Sequence, residues 1–289
     1  MKRVAIANLK GGVGKSTTTV LLAETLALFH RQRVLVIDLD PQSNTSYMLL
    51  SRAGVEIAER QQKTLMHFLT TVVSGARVNI ANYVQPGASD LWPLVQGHAP
   101  GCVDLIPSTP QMWFVESNFD EAAYKKGDPP DERLRDVIKR HLDRLKGSYD
   151  VVLFDCPPGF STLARVGIRL SDLILSPTLA DAVSTRSLKD FVDIGLRKIL
   201  GLADGRNHYI AVTKFIRNTQ TQSVLDELRQ SYCLVGSPMP HSVDFIRASQ
   251  RVRHDSYREF PEKYGAKQSN VRAFGAEFFR TVLSSKVSA

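Results

Sequence analysis

Apolar residues along the 289-residue chain fall into short continuous runs, separated by longer stretches in which they recur every three or four positions. The runs are Val4 to Ala7, Val34 to Asp38, Val103 to Pro107, Val151 to Asp155, Leu173 to Leu175 and Tyr209 to Val212. Unbroken apolar runs of this length suit strands buried on both faces of a parallel sheet. The stretches between them predict helices over Thr19 to Phe29, Thr64 to Val73, Glu132 to Leu145 and Asn270 to Lys286. Strand and helix alternating in this way argue an α/β fold, a doubly wound and mostly parallel sheet with helices on both faces. Lys125 to Asp131, with Pro129-Pro130, reads as a surface loop. Residues 51–100 carry turn signals at Gln85-Pro86-Gly87 and His98-Ala99-Pro100-Gly101 and little period. They are expected to form a variable insertion in one domain spanning 1–289, since no linker or repeat divides the chain.

Composition narrows the picture modestly. Hydrophobic residues make up 43%, enough for a sizeable core. A formal charge of +8 and a pI near 9.4 favour an anionic partner, such as nucleic acid or an acidic membrane surface. Cys102, Cys156 and Cys233 are scattered with no Cys-x-x-Cys pair, so a disulfide scaffold or zinc site is not expected, and a reducing cytoplasm fits. The sequence enters its first strand at once, so a cleavable signal is not expected. No run approaches the roughly 20 apolar residues of a membrane span.

The chemistry starts at the end of the first strand, with Asn8-Leu9-Lys10-Gly11-Gly12-Val13-Gly14-Lys15-Ser16-Thr17-Thr18. A strand, a glycine turn and a helix start present backbone N–H groups and the positive end of a helix dipole to a phosphate. Lys15 would reach the β- and γ-phosphates and Ser16 would place its hydroxyl on Mg²⁺. The common pattern wants glycine where Leu9 stands, and here Lys10 follows it. Two more segments end strands on the side where open α/β sheets bind ligands, Asp38-Leu39-Asp40-Pro41-Gln42 and Asp155-Cys156-Pro157-Pro158-Gly159. An aspartate after four apolar residues is the usual Mg²⁺ carrier of phosphate-loop proteins, which gives that role to Asp155.

The run Lys10 to Thr17 resembles the deviant Walker A motif of the ParA/MinD family of P-loop ATPases, and the two aspartate segments resemble that family's Walker A′ and Walker B motifs. The resemblance extends from residue 1 to about 280 and is weakest over residues 51–100. It implies ATP and Mg²⁺ as cofactors, with Lys10, Gly11, Gly12, Val13, Gly14, Lys15, Ser16 and Thr17 around the nucleotide. It implies that Lys10 crosses a homodimer interface to the partner's phosphates, that Asp40 orients the attacking water, and that Asp38 supports the metal shell with Ser16 and Asp155. Lys10, Lys15 and Asp40 are then the expected catalytic set. By the same resemblance the adenine lies between Thr213-Lys214-Phe215 and Pro238-Met239-Pro240, with Thr213, Lys214, Pro238 and Pro240 as contacts.

A ParA-type protein binds DNA without sequence preference as an ATP-bound dimer, and a ParB-like or other adaptor stimulates hydrolysis. Arg247, Arg251 and Arg253 are the candidate DNA stripe, in a segment from His241 to Ala289 holding nine Lys/Arg against five Asp/Glu. With the phosphate loop starting at residue 10, no N-terminal operator-reading domain is expected. Partition of a chromosome or plasmid and positioning of another cargo remain equally open. A MinD-like membrane regulator of division needs a basic amphipathic tail. The stripe Val271, Phe274, Phe278 and Val282 reads instead as a helix packed on the sheet, and no stable membrane association is expected. An iron–sulfur carrier needs dimer-bridging cysteines, and this cysteine set offers none.

Overall fold

The computed structural model describes residues 1–91, 101–126, 130–202, 207–249 and 257–284. Its centre is a six-stranded sheet in the order β3-β2-β4-β1-β5-β6, parallel at every pairing. The strands are β1 (Lys2–Ile6), β2 (Arg33–Asp38), β3 (Cys102–Ile106), β4 (Val151–Asp155), β5 (Leu173–Thr178) and β6 (His208–Val212). Each coincides with an apolar run. β5 continues past Leu175 through Ser176 and Pro177, whose polarity and missing N–H hide it from a hydrophobicity reading.

Alternate strand residues serve two helical layers, as the two-residue period requires. Ala5, Leu35, Ile37, Val152, Phe154, Ile174 and Ile210 face one core, closed by α3 (Leu65–Val73), α4 (Met112–Lys126), α5 (Pro130–Asp143), α6 (Thr162–Leu170), α7 (Ala182–Asp190) and α8 (Thr219–Ser231). Val4, Ile6, Val34, Val36, Leu153, Leu175 and Ala211 face the other. That second core is closed by α1 (Lys15–His30), the start of α2 (Asn44–Arg60), α9 (Val243–Ser249), α10 (Phe260–Tyr264) and α11 (Gln268–Phe278). Both faces are thus covered, which is why the strands read as unbroken apolar runs.

Two expectations differ from the structure at their ends. Of the surface loop expected from Lys125 to Asp131, residues 127–129 lie outside the described residues, while α4 extends to Lys126 and α5 starts at Pro130, a residue suited to a first helical position. Asp131 is buried, with its carboxylate on Arg169 Nε at 2.8 Å and Arg165 Nε at 3.4 Å, so that part of the segment belongs to the interior. The last helix starts two residues early and passes into a π-helical turn at Phe279–Leu283. Its stripe Val271, Phe274, Phe278 and Val282 is buried, and Gly275 lets it approach α1 so closely that a Cβ there would meet Thr25 Oγ1 at 2.3 Å. The stripe therefore packs on the phosphate-loop helix and its core. Among the described residues no helix is long and apolar enough to cross a membrane.

α1 is buried nearly along its whole length, including Glu24. The ammonium of Lys263 meets Glu24 Oε1 at 2.6 Å and Asp90 Oδ1 at 2.5 Å, while the Tyr264 hydroxyl and Ser89 Oγ also donate to Glu24. This cluster pins both the segment before residue 92 and the C-terminal helices to α1. Lys263 is fully buried, and its two carboxylate partners are what make that burial tolerable.

Candidate functional site

The parallel register brings the three motifs to one level. Ile6 pairs with Asp155, and Asp155 pairs with Asp38, so the loop after β1 rises beside two carboxylates carried by neighbouring strand ends. The loop itself turns through positive φ at Gly12 (74°) and Gly14 (87°), a region glycine enters without a Cβ penalty. Gly14 caps α1 with no side-chain hydrogen bond, and the first turn of α1 carries no acidic residue. The N–H groups there remain available to an anion, and the helix dipole favours one.

A cavity of about 660 Å³ opens above the loop, lined by Gly11, Gly12, Gly14, Lys15, Ser16, Thr17, Asp40, Gln42, Asn44, Tyr47, Met48, Pro158 and Lys214. The Lys15 ammonium is held at the back of the loop by the Lys10 carbonyl at 3.3 Å. Burial pushes the Lys15 pKa below the ordinary lysine value, and the carboxylates of Asp155 and Asp40 partly offset this. Burial likewise raises Asp40, whose Oδ1 accepts the Gln42 N–H at 2.9 Å.

Behind this cavity the other two aspartates are tied into the fold. Asp38 Oδ2 accepts the backbone N–H and hydroxyl of Ser46 at 2.9 and 2.6 Å, and Oδ1 accepts the Asp40 N–H at 3.1 Å. Asp155 Oδ2 accepts from Thr45 Oγ1 at 2.6 Å, and Oδ1 from Thr19 Oγ1 at 3.4 Å. Burial drives Asp155 up to about 6 and Asp38 well above the carboxylate range, and the Asp155 charge adds to the rise at Asp38. Two buried carboxylates with an alcohol at Ser16 in front of them form a hard oxygen set whose repulsion a divalent cation would relieve. No group of three or more His, Cys, Asp or Glu among the described residues could hold a metal ion. An ion at this place would complete its shell with Ser16, water and phosphate oxygens, the habit of Mg²⁺.

Lys10 behaves differently from Lys15. Its side chain does not line the cavity of its own loop. Its ammonium donates to Ser184 Oγ at 2.7 Å and lies 3.8 Å from Asp181 Oδ1, both at the start of α7. Asp181 is also the N-cap of α7, accepting the Ser184 N–H at 2.8 Å and the Ser184 hydroxyl at 2.8 Å. Asp181 and Ser184 were not among the expected site residues. An aspartate followed three residues later by serine, just past the end of β5, is a helix-start signal on the ligand side of the sheet and would have found them.

A second cavity of about 180 Å³ adjoins the first and is lined by Gly14, Thr17, Thr18, Leu21, Thr213, Lys214, Met239, Pro240, His241, Ser242, Phe245 and Ile246. Thr213 Oγ1 donates to the Val13 carbonyl at 2.8 Å, and Val13 is fully buried. Lys214 holds a left-handed backbone (φ 49°), and its ammonium donates to the Gly12 carbonyl at 2.7 Å, so it borders both cavities. The proline turn contributes Met239 and Pro240, while Pro238 stands outside the lining. The sequence reading missed Phe245 and Ile246 of α9 as walls. Arg247 is the next residue on that helix, exposed and 3.3 Å from Asp244 Oδ1, whereas Arg251 and Arg253 lie outside the described residues.

Comparison with known proteins fits this geometry. The AAA domain family (AAA_31) matches residues 1–199. A Pseudomonas putida protein of uncharacterised function is 32% identical over 66% of this chain and 61% of its own length. The chain thus spans about three fifths of that relative's length. The chromosome partitioning protein ParA of Caulobacter vibrioides is 28% identical over 80% of this chain and 77% of its own. Among solved structures, the ATP complex of Cyanothece McdA superposes with a TM-score of 0.69 over 100% of this chain and 99% of that one, at 17% identity, a likeness of fold. With the family matched over more than half of its length, the chain belongs to the AAA-domain family of ParA-type P-loop ATPases.

Proposed function

We propose that this chain is a Mg²⁺-dependent ATP hydrolase that pairs with a second copy when ATP is bound, binds DNA without sequence preference, and moves or positions a cargo when an adaptor triggers hydrolysis. The observation that carries this reading is the direction of Lys10. Lys10 sits in the phosphate loop yet bonds to Asp181 and Ser184 away from its own cavity, which supports a role toward phosphates other than those of its own loop.

Each residue then has a task. The N–H groups of Gly11 to Thr17 and the start of α1 hold the phosphate tail, and Lys15 neutralises its charge. Ser16, Asp155 and Asp38 hold the metal side, where Mg²⁺ would neutralise charge on the β- and γ-phosphate oxygens. Asp40, at the cavity wall, orients the attacking water. Lys10 of the second copy supplies the remaining positive charge, as an arginine finger does in related phosphoryl transfers. The base occupies the smaller cavity against Thr213, Lys214, Met239 and Pro240.

DNA binding rests on phosphate neutralisation. Arg247 is exposed on a helix whose preceding residues wall the smaller cavity, and Arg251 and Arg253 follow it in the sequence. Binding of the full chain to random-sequence duplex DNA should require ATP with Mg²⁺, and affinity should fall steeply as salt rises from 50 to 200 mM, by about tenfold or more. Binding indifferent to both nucleotide and salt would contradict the reading. Partition and other cargo positioning share this engine, and the adaptor decides between them.

A further inference from the structure

We infer that Phe160 and Gly195 form a positioning contact that links the loop after Asp155 to the seat of Lys10. The loop runs Cys156-Pro157-Pro158-Gly159-Phe160, and Pro158 lines the phosphate cavity. Gly159 turns through φ 86°, and two residues past Pro158 the Phe160 ring lies on the Phe191 ring, with centroids 5.2 Å apart and planes 18° from parallel. The same ring fills the place of a side chain on Gly195. A Cβ built there would fall 1.6 Å from Phe160 Cζ and 2.0 Å from Cε2.

Phe191 and Gly195 belong to a π-helical stretch, Phe191–Ile199, that continues α7. The first turn of α7 carries Ser184, and Asp181 caps it, and these two hold the Lys10 ammonium. One continuous helix therefore bears the Phe160 notch toward one end and the lysine seat at the other. π-Helical turns recur at functional sites, where a helix departs from its regular ladder. Close-packed contacts shift between discrete arrangements and do not stretch. A phosphate that draws on the Pro158 loop moves Phe160 against Gly195, and α7 carries that movement to Asp181 and Ser184. Lys10 is then released when its own loop is filled, so that filling one site readies the lysine for the other. The contact acts through Lys10 and touches no phosphate, and its role rests on the lysine-sharing reading proposed above.

Full-length Gly195→Ala inserts a methyl group where the ring lies, and Phe160→Leu removes the Cε and Cζ atoms it would meet. Affinity for a fluorescent ATP analogue with Mg²⁺ should stay within about threefold of wild type in Gly195→Ala, while ATP-dependent self-association and turnover fall by about tenfold or more. Adding Phe160→Leu should restore most of both. Wild-type turnover in Gly195→Ala, or a folded double variant no better than the single one, would overturn the inference. If Gly195→Ala does not fold by circular dichroism, Phe160→Ala empties the notch and should also keep nucleotide affinity but lose turnover, and unchanged turnover there would overturn it too. A wild-type chain that neither pairs nor turns over ATP would fail the proposed function itself, which separates the two outcomes.

Discussion

At the scale of single residues, the informative side chains are those whose burial conflicts with their charge. Lys15, Asp40, Asp38 and Asp155 are each driven toward neutrality by desolvation, with Lys15 feeling the charges of Asp155 and Asp40, and Asp38 those of Asp155 and Asp40. Interior charges are retained where binding gives them a partner, and here the partner would be a phosphate tail with its cation. His208 offers a contrast, because nothing in the site uses it. It opens β6 with Nε2 2.9 Å from Ser176 Oγ, its ring set between Phe191 and Tyr232, and burial holds its pKa down to about 4. The folded chain therefore refuses a proton that the unfolded chain accepts at the ordinary value near 6.5. Between those two values the unfolded state binds more protons, so stability rises with pH across the window and falls as pH drops from 6.5 toward 4, by roughly 2–3 kcal/mol from this group. Denaturant titrations at pH 6.5 and 4.5 should show a smaller difference for His208→Gln than for wild type. An equal difference would remove His208 from the account.

At the scale of elements, the site depends on how closely α6 can approach the strand ends. A Cβ at Gly167 would lie 2.7 Å from Leu39 Cδ1 and 2.8 Å from Cys156 Sγ. Leu39 stands between Asp38 and Asp40, and Cys156 follows Asp155, so this one glycine backs all three carboxylates. Gly167→Ala should destabilise the chain by about 1–3 kcal/mol through overpacking and also weaken nucleotide affinity. Urea unfolding and nucleotide titration report the two effects, and wild-type values in both would contradict the role. None of this was legible in the sequence, where Gly167 is one small residue inside a helix. The strands were legible because burial on both faces leaves an uninterrupted apolar signature. The phosphate loop and both aspartate segments were legible because each sits directly after such a run. α4 was not, since among its residues 112–118, 120 and 121 only Met112, Val115 and Glu116 are buried, too few positions to set a clear period. The helix start at Asp181 and Ser184 left a local signal, but its pairing with Lys10, the Phe245 and Ile246 wall and the Phe160 notch each join segments remote in sequence, and pattern within one segment carries no trace of such contacts.

At the scale of the whole molecule, one helix organises the rest. α1 begins at the phosphate loop, packs along the sheet, and receives α11 against Thr25. Through Glu24 it also receives Lys263 and Tyr264. The C-terminal helices are thereby keyed to the helix that opens from the phosphate loop, and α9, which walls the smaller cavity, packs beside them, with the Phe245 and Tyr264 rings 6.5 Å apart. A ligand can drive a change of state only by as much as it prefers one state. In the function proposed above that preference lies with the γ-phosphate, which a second copy's Lys10 would reach and ADP lacks. Sedimentation velocity of the full chain in MgATP and in MgADP tests that assignment most directly. The account predicts a dimer with ATP, a monomer with ADP, and loss of the ATP dimer in Lys10→Ala. A chain that stays monomeric in MgATP, or a Lys10→Ala variant that pairs as wild type does, would contradict it.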